Sequence, residues 1–225
     1  MLGVDACRAG WAGVVLIDGA VTVHVARTIV GLVAEVEESG RLAVIGVDIP
    51  IGLPDTGRRQ ADVLAYKLVG PRRSSVFITP VRAALEAASH PAAVEVNKEL
   101  AGEGVSAQVY GLRSKIFEVD AWVRHAQQPV VEVHPEVSFA TLAGAPLPDS
   151  KRTWAGVQQR RRLLADAGLR LADDIGDAGR HAAVDDVLDA AAAAWSAARV
   201  ARGLATPLPN PPVKHSDGWP VAIWV

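Results

Sequence analysis

The sequence holds one cysteine, Cys7, among 225 residues. One thiol cannot close an intrachain disulfide, so the fold must rest on its core, and a reducing, cytoplasmic setting is expected. Aromatic residues are scarce as well, with two Tyr, three Phe and six Trp. That leaves little material for a row of base-stacking rings, and Trp11, Trp122, Trp154 and Trp195 read as core residues. Charge of one sign is also lacking. Against 23 Lys and Arg stand 25 Asp and Glu, a formal net charge of −2. Such a balance does not point to nucleic acid, since a dedicated nucleic-acid coat is usually strongly basic, and does not exclude it, since an enzyme needs only a local basic lip. No run approaches the ~18 apolar residues of a membrane span. Met1-Leu2-Gly3-Val4-Asp5 has no basic segment leading into an apolar one, so neither a membrane partner nor a secretory signal is expected. No repeat of roughly 20–50 residues occurs.

What is present suits an ordered α/β chain. Half of the residues are hydrophobic and 21% are charged, enough apolar side chain to pack a core. The length fits a single domain over 1–225 with a sizeable insertion, at roughly 100–200 residues per domain. Leu2–Asp5 predicts a strand and Trp11–Ile17 a second. Asp18-Gly19 supplies the two positive-φ positions of a tight hairpin, and Ala20–Val25 returns as a third strand. Thr28 can cap a helix whose apolar residues Ile29, Leu32, Val33 and Val36 share one face, with Gly40 placed to end it. Leu42–Asp48 is almost wholly apolar, as a strand covered on both faces should be. Reached by a helical crossover, it should run parallel to the first strand.

Beyond Pro54 the character changes. Helical patterns around Ala61–Val69, Ala83–Leu100 and Leu112–His125 lie among Arg pairs, Pro and Gly, which predicts a helical insertion over about 54–128. Pro129–Val133 predicts a fifth strand, Thr153–Ala167 a helix, and Ala183 to Arg202 a last helix with Val184, Leu188, Ala191 and Trp195 on its apolar face. The proline-rich tail should close over the surface, with a short edge strand at Val221–Val225.

Carboxylates fall where these elements end. Asp5 closes the first strand, Asp48 the fourth, Glu132 lies near the end of the fifth, and Asp185, Asp186 and Asp189 open the last helix. Ligands bind open α/β sheets at the carboxyl ends of the parallel strands. Three like charges on one rim raise one another's pKa unless a cation neutralises them. Oxygen-only ligands favour Mg2+ or Mn2+ over Zn2+. The plain alternatives are a turn or cap role for Asp5 and a helix-dipole role, about 0.3–1 kcal/mol, for the helix acids. Asp48 follows Val44-Ile45-Gly46-Val47, where burial makes an unpaired charge costly.

Four spaced motifs, GVDACRAGW (3–11), VDIPIGLP (47–54), EVHPE (132–136) and DDVLDA (185–190), together with GPRRSSVF (70–77), resemble an uncharacterised bacterial and archaeal family of predicted nucleases, domain of unknown function 429. The likeness spans Leu2 to about Arg202. It implies an α/β fold with a ribonuclease H-like mixed five-stranded sheet flanked by helices and a helical insertion after the fourth strand. It also implies two Mg2+ or Mn2+ ions on Asp5, Asp48 and the Asp186/Asp189 pair, the late helix being similar to that of RuvC-like resolvases. Ribonuclease H enzymes proper take a Glu from the first helix; here Glu35, Glu37 and Glu38 lie at its far end, and Glu132 or Glu136 could substitute.

The expected activity is that of a metal-dependent nuclease or phosphodiesterase with a nucleic acid or nucleotide as its partner. Asp5, Asp48, Glu132, Asp186 and Asp189 are the candidate catalytic acids, and Arg72, Arg73, Ser74, Lys115 and Lys151 the candidate phosphate donors. Ser75 joins them. His134 reads as a turn residue or a supporting donor behind the site rather than a ligand, and Arg160-Arg161-Arg162 as a solvated helix face. Cys7 has no His or Asp neighbour in sequence and Ser74 no Gly-x-Ser-x-Gly context, so nucleophilic thiol or serine chemistry lacks support. Two other classes stay open: a phosphotransferase or ATPase on the same core, and a non-catalytic nucleic-acid or nucleotide binding module. The ATPase reading lacks a second Gly-rich, Asp-containing hairpin and the length for a second core.

Overall fold

The first hairpin forms as the sequence predicts. Strand β1 (Leu2–Cys7) pairs antiparallel with β2 (Gly10–Ile17), and β2 with β3 (Ala20–Ala26). Asp18 and Gly19 turn it with φ of 49° and 82°. The computed structural model describes residues 1–215 and 218–225. Helix α1 (Ile29–Glu37) follows, with the Thr28 side chain accepting from the Gly31 amide and Ile29, Leu32, Val33 and Val36 buried. Strand β4 (Ile45–Val47) then runs parallel to β1. It is shorter than the apolar run Leu42–Asp48, but Asp48 still donates its amide to Val4 O at 2.9 Å.

Between β4 and β5 (Val130–Glu132) lie α2 (Gln60–Leu68), a 3-10 turn (Gly70–Ser75), α3 (Arg82–Glu86), α4 (His90–Ala101), α5 (Ala107–Gly111) and α6 (Arg113–Val123). The pattern read as one helix over Ala83–Leu100 is two. Ser89 caps α4 and Pro91 stands in its first turn, a position that suits a residue without an amide hydrogen and stops a helix arriving from before it. After β5 come α7 (Pro135–Ala143), α8 (Trp154–Asp166), the short α9 (Ala178–His181) and α10 (Val184–Ala201). Among the described residues, no helix is long and apolar enough to cross a membrane.

The sheet has seven strands rather than five, in the order β3-β2-β1-β4-β5-β7-β6. The expected five are contiguous, and the tail adds the other two. Strand β7 (Pro220–Trp224) is not an edge: it pairs parallel to β5 and antiparallel to β6 (Pro207–Lys214). The edge is β6, with prolines at 207, 209, 211 and 212. Proline removes ladder donors, which an outermost strand tolerates and which discourages pairing with another chain.

Helix α10 crosses the sheet unusually close. A Cβ on Gly3 would lie 2.0 Å from Ala194 N and 2.1 Å from Ala190 O, and one on Gly46 2.6 Å from Ala193 O. Glycine on β1 and β4 facing the alanines of α10 lets backbone rest on backbone. Asp189 immediately precedes those alanines, so the same close approach carries it to the carboxyl end of β1.

Candidate metal centre

Three acids from three elements meet at that end. Asp5 near the end of β1, Asp48 just after β4 and Asp189 on α10 each offer a carboxylate oxygen, and these oxygens lie within 4.8 Å of one another. Asp189 is 1% exposed and Asp5 9%; Asp48 is half-buried. Asp5 Oδ1 accepts from the Ala6 amide at 2.7 Å. Asp189 Oδ2 meets the Lys151 ammonium, while its Oδ1, buried, has no hydrogen-bond partner.

Burial first, then Asp48 and Asp189, push Asp5 well above the usual carboxylate range. Burial and then Asp189 do the same to Asp48. Asp189 is pushed up to about 6 by burial, against the pull of Lys151. Burial works against the charge of Lys151, but Asp189, Asp48 and Asp5 hold its ammonium above the ordinary lysine value. Three carboxylates, two of them buried, sharing one cation make a site that favours a further positive charge. An all-oxygen donor set of this size suits a hard divalent ion, and the unpartnered Asp189 Oδ1 is an acceptor still lacking its donor or cation.

The other expected residues divide. Asp186 stands at the mouth, half-buried, outside the group of mutually close oxygens; its Oδ2 accepts from the Ala183 amide at 3.1 Å, a helix-start role. Glu132 is committed elsewhere. Its Oε2 accepts from Arg59 at 2.6 Å and from the Ile51 amide at 2.7 Å, and burial, opposed by Arg59, pushes it up to about 7. Glu136, the other stand-in for a missing first-helix acid, takes Arg160 on both oxygens at 2.6 and 2.9 Å. The two glutamates thus hold structure through fully buried arginines.

Of the proposed phosphate donors, Lys151 and Ser74 line the cavity over the acids, as does Arg72. The Arg72 guanidinium, however, is spent on backbone: Nε donates to Leu147 O at 3.1 Å and Nη2 to Pro148 O. Arg73 is exposed, away from the lining. Lys115 also lies outside it, 3.6 Å from Glu118 and 4.3 Å above the Trp11 ring.

Two readings change. Arg160 is not part of a solvated face but 0% exposed, its Nη1 also donating to Asp149 O and Gly156 O at 3.0 and 3.1 Å; it thereby fixes the loop that carries Lys151. Trp154 is not core: it is 79% exposed. His134 lines the cavity, its Nδ1 cut off from water without a hydrogen-bond partner. Withdrawal from water lowers its pKa to about 4, so it is neutral near pH 7. Nothing in the run Arg160-Arg161-Arg162 itself singled out Arg160; its partner Glu136, in the first turn of an α7 that begins at Pro135 and ends before Gly144, was the available signal.

A family model described as "Protein of unknown function (DUF429)" matches residues 3–214. No curated protein and no solved structure matches the chain.

Proposed function

The chain belongs to the DUF429 family, and we propose that it is a metal-dependent phosphodiesterase, a single domain built on a ribonuclease H-like core that acts on a nucleotide or nucleic acid. The observation that carries this reading is the meeting of Asp5, Asp48 and Asp189 within 4.8 Å, with the buried Asp189 Oδ1 unpartnered. The order β1-β2-β3-α1-β4-β5, with acids after the first and fourth strands and on a late helix, supports the core assignment.

Asp5, Asp48 and Asp189 would hold Mg2+ or Mn2+. Bound there, such an ion lowers the pKa of a water and stabilises the leaving oxygen of an in-line displacement. Three carboxylates against Lys151 leave a net charge of −2, which one divalent ion balances. The second ion of a pair would draw on Asp186 at the mouth and on the substrate phosphate. The residues themselves orient and screen. Lys151, held over Asp189, is placed to donate to a phosphate oxygen once a metal relieves it of the carboxylate. Neutral His134 and the Ser74 and Ser75 hydroxyls line the wall without adding charge. In hydrolysis the water oxygen forms the new P–O bond as the ester P–O bond breaks, and the proton of water ends on the leaving oxygen.

The test is calorimetric titration with Mn2+ beside a cleavage panel of oligonucleotides, nucleotide esters and ATP. Mn2+ binding and phosphodiester cleavage are expected. Asp5→Asn should cut the rate by at least about a thousandfold, about 4 kcal/mol of barrier, while melting at the same temperature or higher. No Mn2+ binding sinks the proposal; hydrolysis of ATP without phosphodiester cleavage hands the site to the phosphotransferase alternative.

A further inference from the structure

Two arginines line the cavity, which opens to solvent over the acids. Arg72 is spent on the carbonyls of Leu147 and Pro148. Arg152, outside the phosphate donors expected from sequence, is exposed, and among the described residues its side chain has no hydrogen-bond or ion-pair partner. Its neighbour Lys151 is held by Asp189. Arg152 is therefore the cation on this lining that folding leaves free for an anion, and a guanidinium suits phosphate because it presents paired N–H groups.

Two residues on, Trp154 opens α8 with 79% of its surface in water. The other five tryptophans are buried or half-buried, as is usual for that side chain. A loose loop would explain such exposure, but this turn is tightly held. Thr153 N and Oγ1 both donate to Ser150 O at 2.9 Å, and Thr153 Oγ1 accepts from the Gly156 amide at 3.1 Å. Buried Arg160 donates to Asp149 O and Gly156 O, one on either side of the turn. A Cβ on Gly156 would lie 2.0 Å from Ser150 O, so the helix start rests directly on the turn. The ring is held out in water by a fixed seat. Three residues of fully extended chain span at most about 10–11 Å, and the turn shortens that. Trp154 Cα thus stands within about 11 Å of Lys151 Cα, and the Lys151 ammonium is on Asp189.

Resting on the phosphodiesterase reading, we propose that the turn 150–154 is its recognition arm: Arg152 binds a phosphate beside the reacting one, and Trp154 stacks on an unpaired nucleobase. Every base has a π face that an aromatic ring can cover, whatever the sequence. Inside a duplex that face is covered by neighbouring pairs, so the ring serves a base outside the stack. One ring reads one base, which needs no row of aromatics and accords with the few Tyr and Phe of the chain. One free guanidinium likewise needs no basic surface, in keeping with the net charge of −2. The substrate class is a nucleobase-bearing phosphodiester rather than a phosphate ester without a base.

The experiment uses the full chain and three fluorescein-labelled ligands: an oligothymidylate, a strand of the same length built from abasic residues, and the oligothymidylate paired to oligoadenylate. Binding is read by anisotropy with Mn2+ present in the Asp5→Asn background, which keeps the strands intact, and cleavage by initial rates in the wild-type background. Trp154→Ala should weaken binding of the single thymidylate strand by about five- to a hundredfold and leave the abasic strand and the pair unchanged. Trp154→Phe should recover most of that loss. Arg152→Ala should weaken both single strands alike and flatten their salt dependence. Both side chains are exposed, so the variants should melt as their parent does. An equal effect of Trp154→Ala on the thymidylate and abasic strands, or none on either, overturns the stacking; an equal effect on the pair overturns the need for an unpaired base. Parental affinity and salt dependence in Arg152→Ala overturn its phosphate role. If Mn2+ binds and wild type cleaves neither single strand, the phosphodiesterase reading falls, and the anisotropy series still decides the arm.

Discussion

Glu132 and Glu136 are buried about as deeply as Asp5 and Asp189, yet each glutamate is hydrogen-bonded to a guanidinium while three aspartates share one lysine. On the glutamate side, Arg59 and Arg160 are planar donors, always charged, that match a carboxylate and still have hydrogens left for Thr79 Oγ1 at 3.1 Å and for Asp149 O and Gly156 O. Both oxygens of Glu136 and Oε2 of Glu132 have their donors, although Arg59 Nε and Arg160 Nε meet no hydrogen-bond acceptor and Arg59 also faces Asp62 at 3.7 Å. On the aspartate side it is an acceptor that goes short: three carboxylates face one ammonium, and one buried carboxylate oxygen has nothing to accept. Burial alone therefore does not mark a working acid. An unpartnered buried carboxylate oxygen among three acids that share one cation would be the better sign, because there folding leaves a free-energy gain for a cation brought from outside.

Breaking the paired side should do the most damage. Arg160→Ala strands the Glu136 carboxylate and frees the loop holding Lys151. Removing one partner of a buried pair costs about 3–5 kcal/mol, and at about 2–4 °C per kcal/mol for a chain of this size the melting temperature should fall by about 6–20 °C. Asp189→Asn, on the unpaired side, should leave the metal-free protein no less stable than wild type, since it removes repulsion from Asp5 and Asp48. Thermal melting of the two variants in chelator checks this, and equal losses would erase the distinction between the two carboxylate sets.

Acid–base behaviour sharpens the same contrast. Asp5, Asp48 and Asp189 have folded pKa values raised above their ordinary ones, Asp189 to about 6. Such groups lend stability that is complete below the unfolded value near 4 and is lost as pH rises through the folded one. His134, lowered to about 4, acts the opposite way: its contribution is complete above its ordinary 6.5 and is lost as pH falls toward 4. Above pH 6.5 the histidine contribution is flat and most of the Asp189 share is already lost, so a further fall in metal-free melting temperature toward pH 8 reports on Asp5 and Asp48, held well above the usual carboxylate range. Glu132, at about 7, adds to that loss, but saturating Mn2+ should reverse only the aspartate share. The difference between metal-free and Mn2+-supplied melting curves cancels groups remote from the nest; if it does not widen with pH, the aspartates do not titrate as argued.

How much of this was legible varies with the physics. Strand β1, the Asp18-Gly19 turn, α1 and β4 follow from local pattern, and the first and fourth strand acids followed with them. So did α10, whose alanines read as a helix; that they lie against Gly3 and Gly46, and so bring Asp189 rather than Asp186 to the rim, is a long-range fit that no local spacing encodes. Strand β6 was missed because its prolines argue against a strand until one knows it is an edge. Arg160 was misread because the three arginines are alike in sequence and only the fold buries one of them. Trp154 was misread for the reverse reason: aromaticity suggests core, yet the first residue of α8 points away from it.

The smallest expected effect separates two lysines that looked equivalent. Lys115 and Lys151 were both candidate phosphate donors, but only Lys151 lines the cavity. Lys115 pairs with Glu118 at 3.6 Å and sits over Trp11 at 4.3 Å, interactions worth about 0–1 kcal/mol for a surface ion pair and about 0.5–1 kcal/mol for a cation over a ring. Lys115→Ala should therefore lower the melting temperature by a few degrees at most, and leave Mn2+-dependent turnover within about twofold of wild type, under about 0.5 kcal/mol of barrier. Lys151→Ala should weaken substrate turnover while tightening Mn2+, because the cation that competes for Asp189 is gone. A Lys115 variant that loses turnover as Lys151→Ala does would mean that substrate reaches beyond the wall to the α6 face, and that the acids serve a larger surface than the cavity alone.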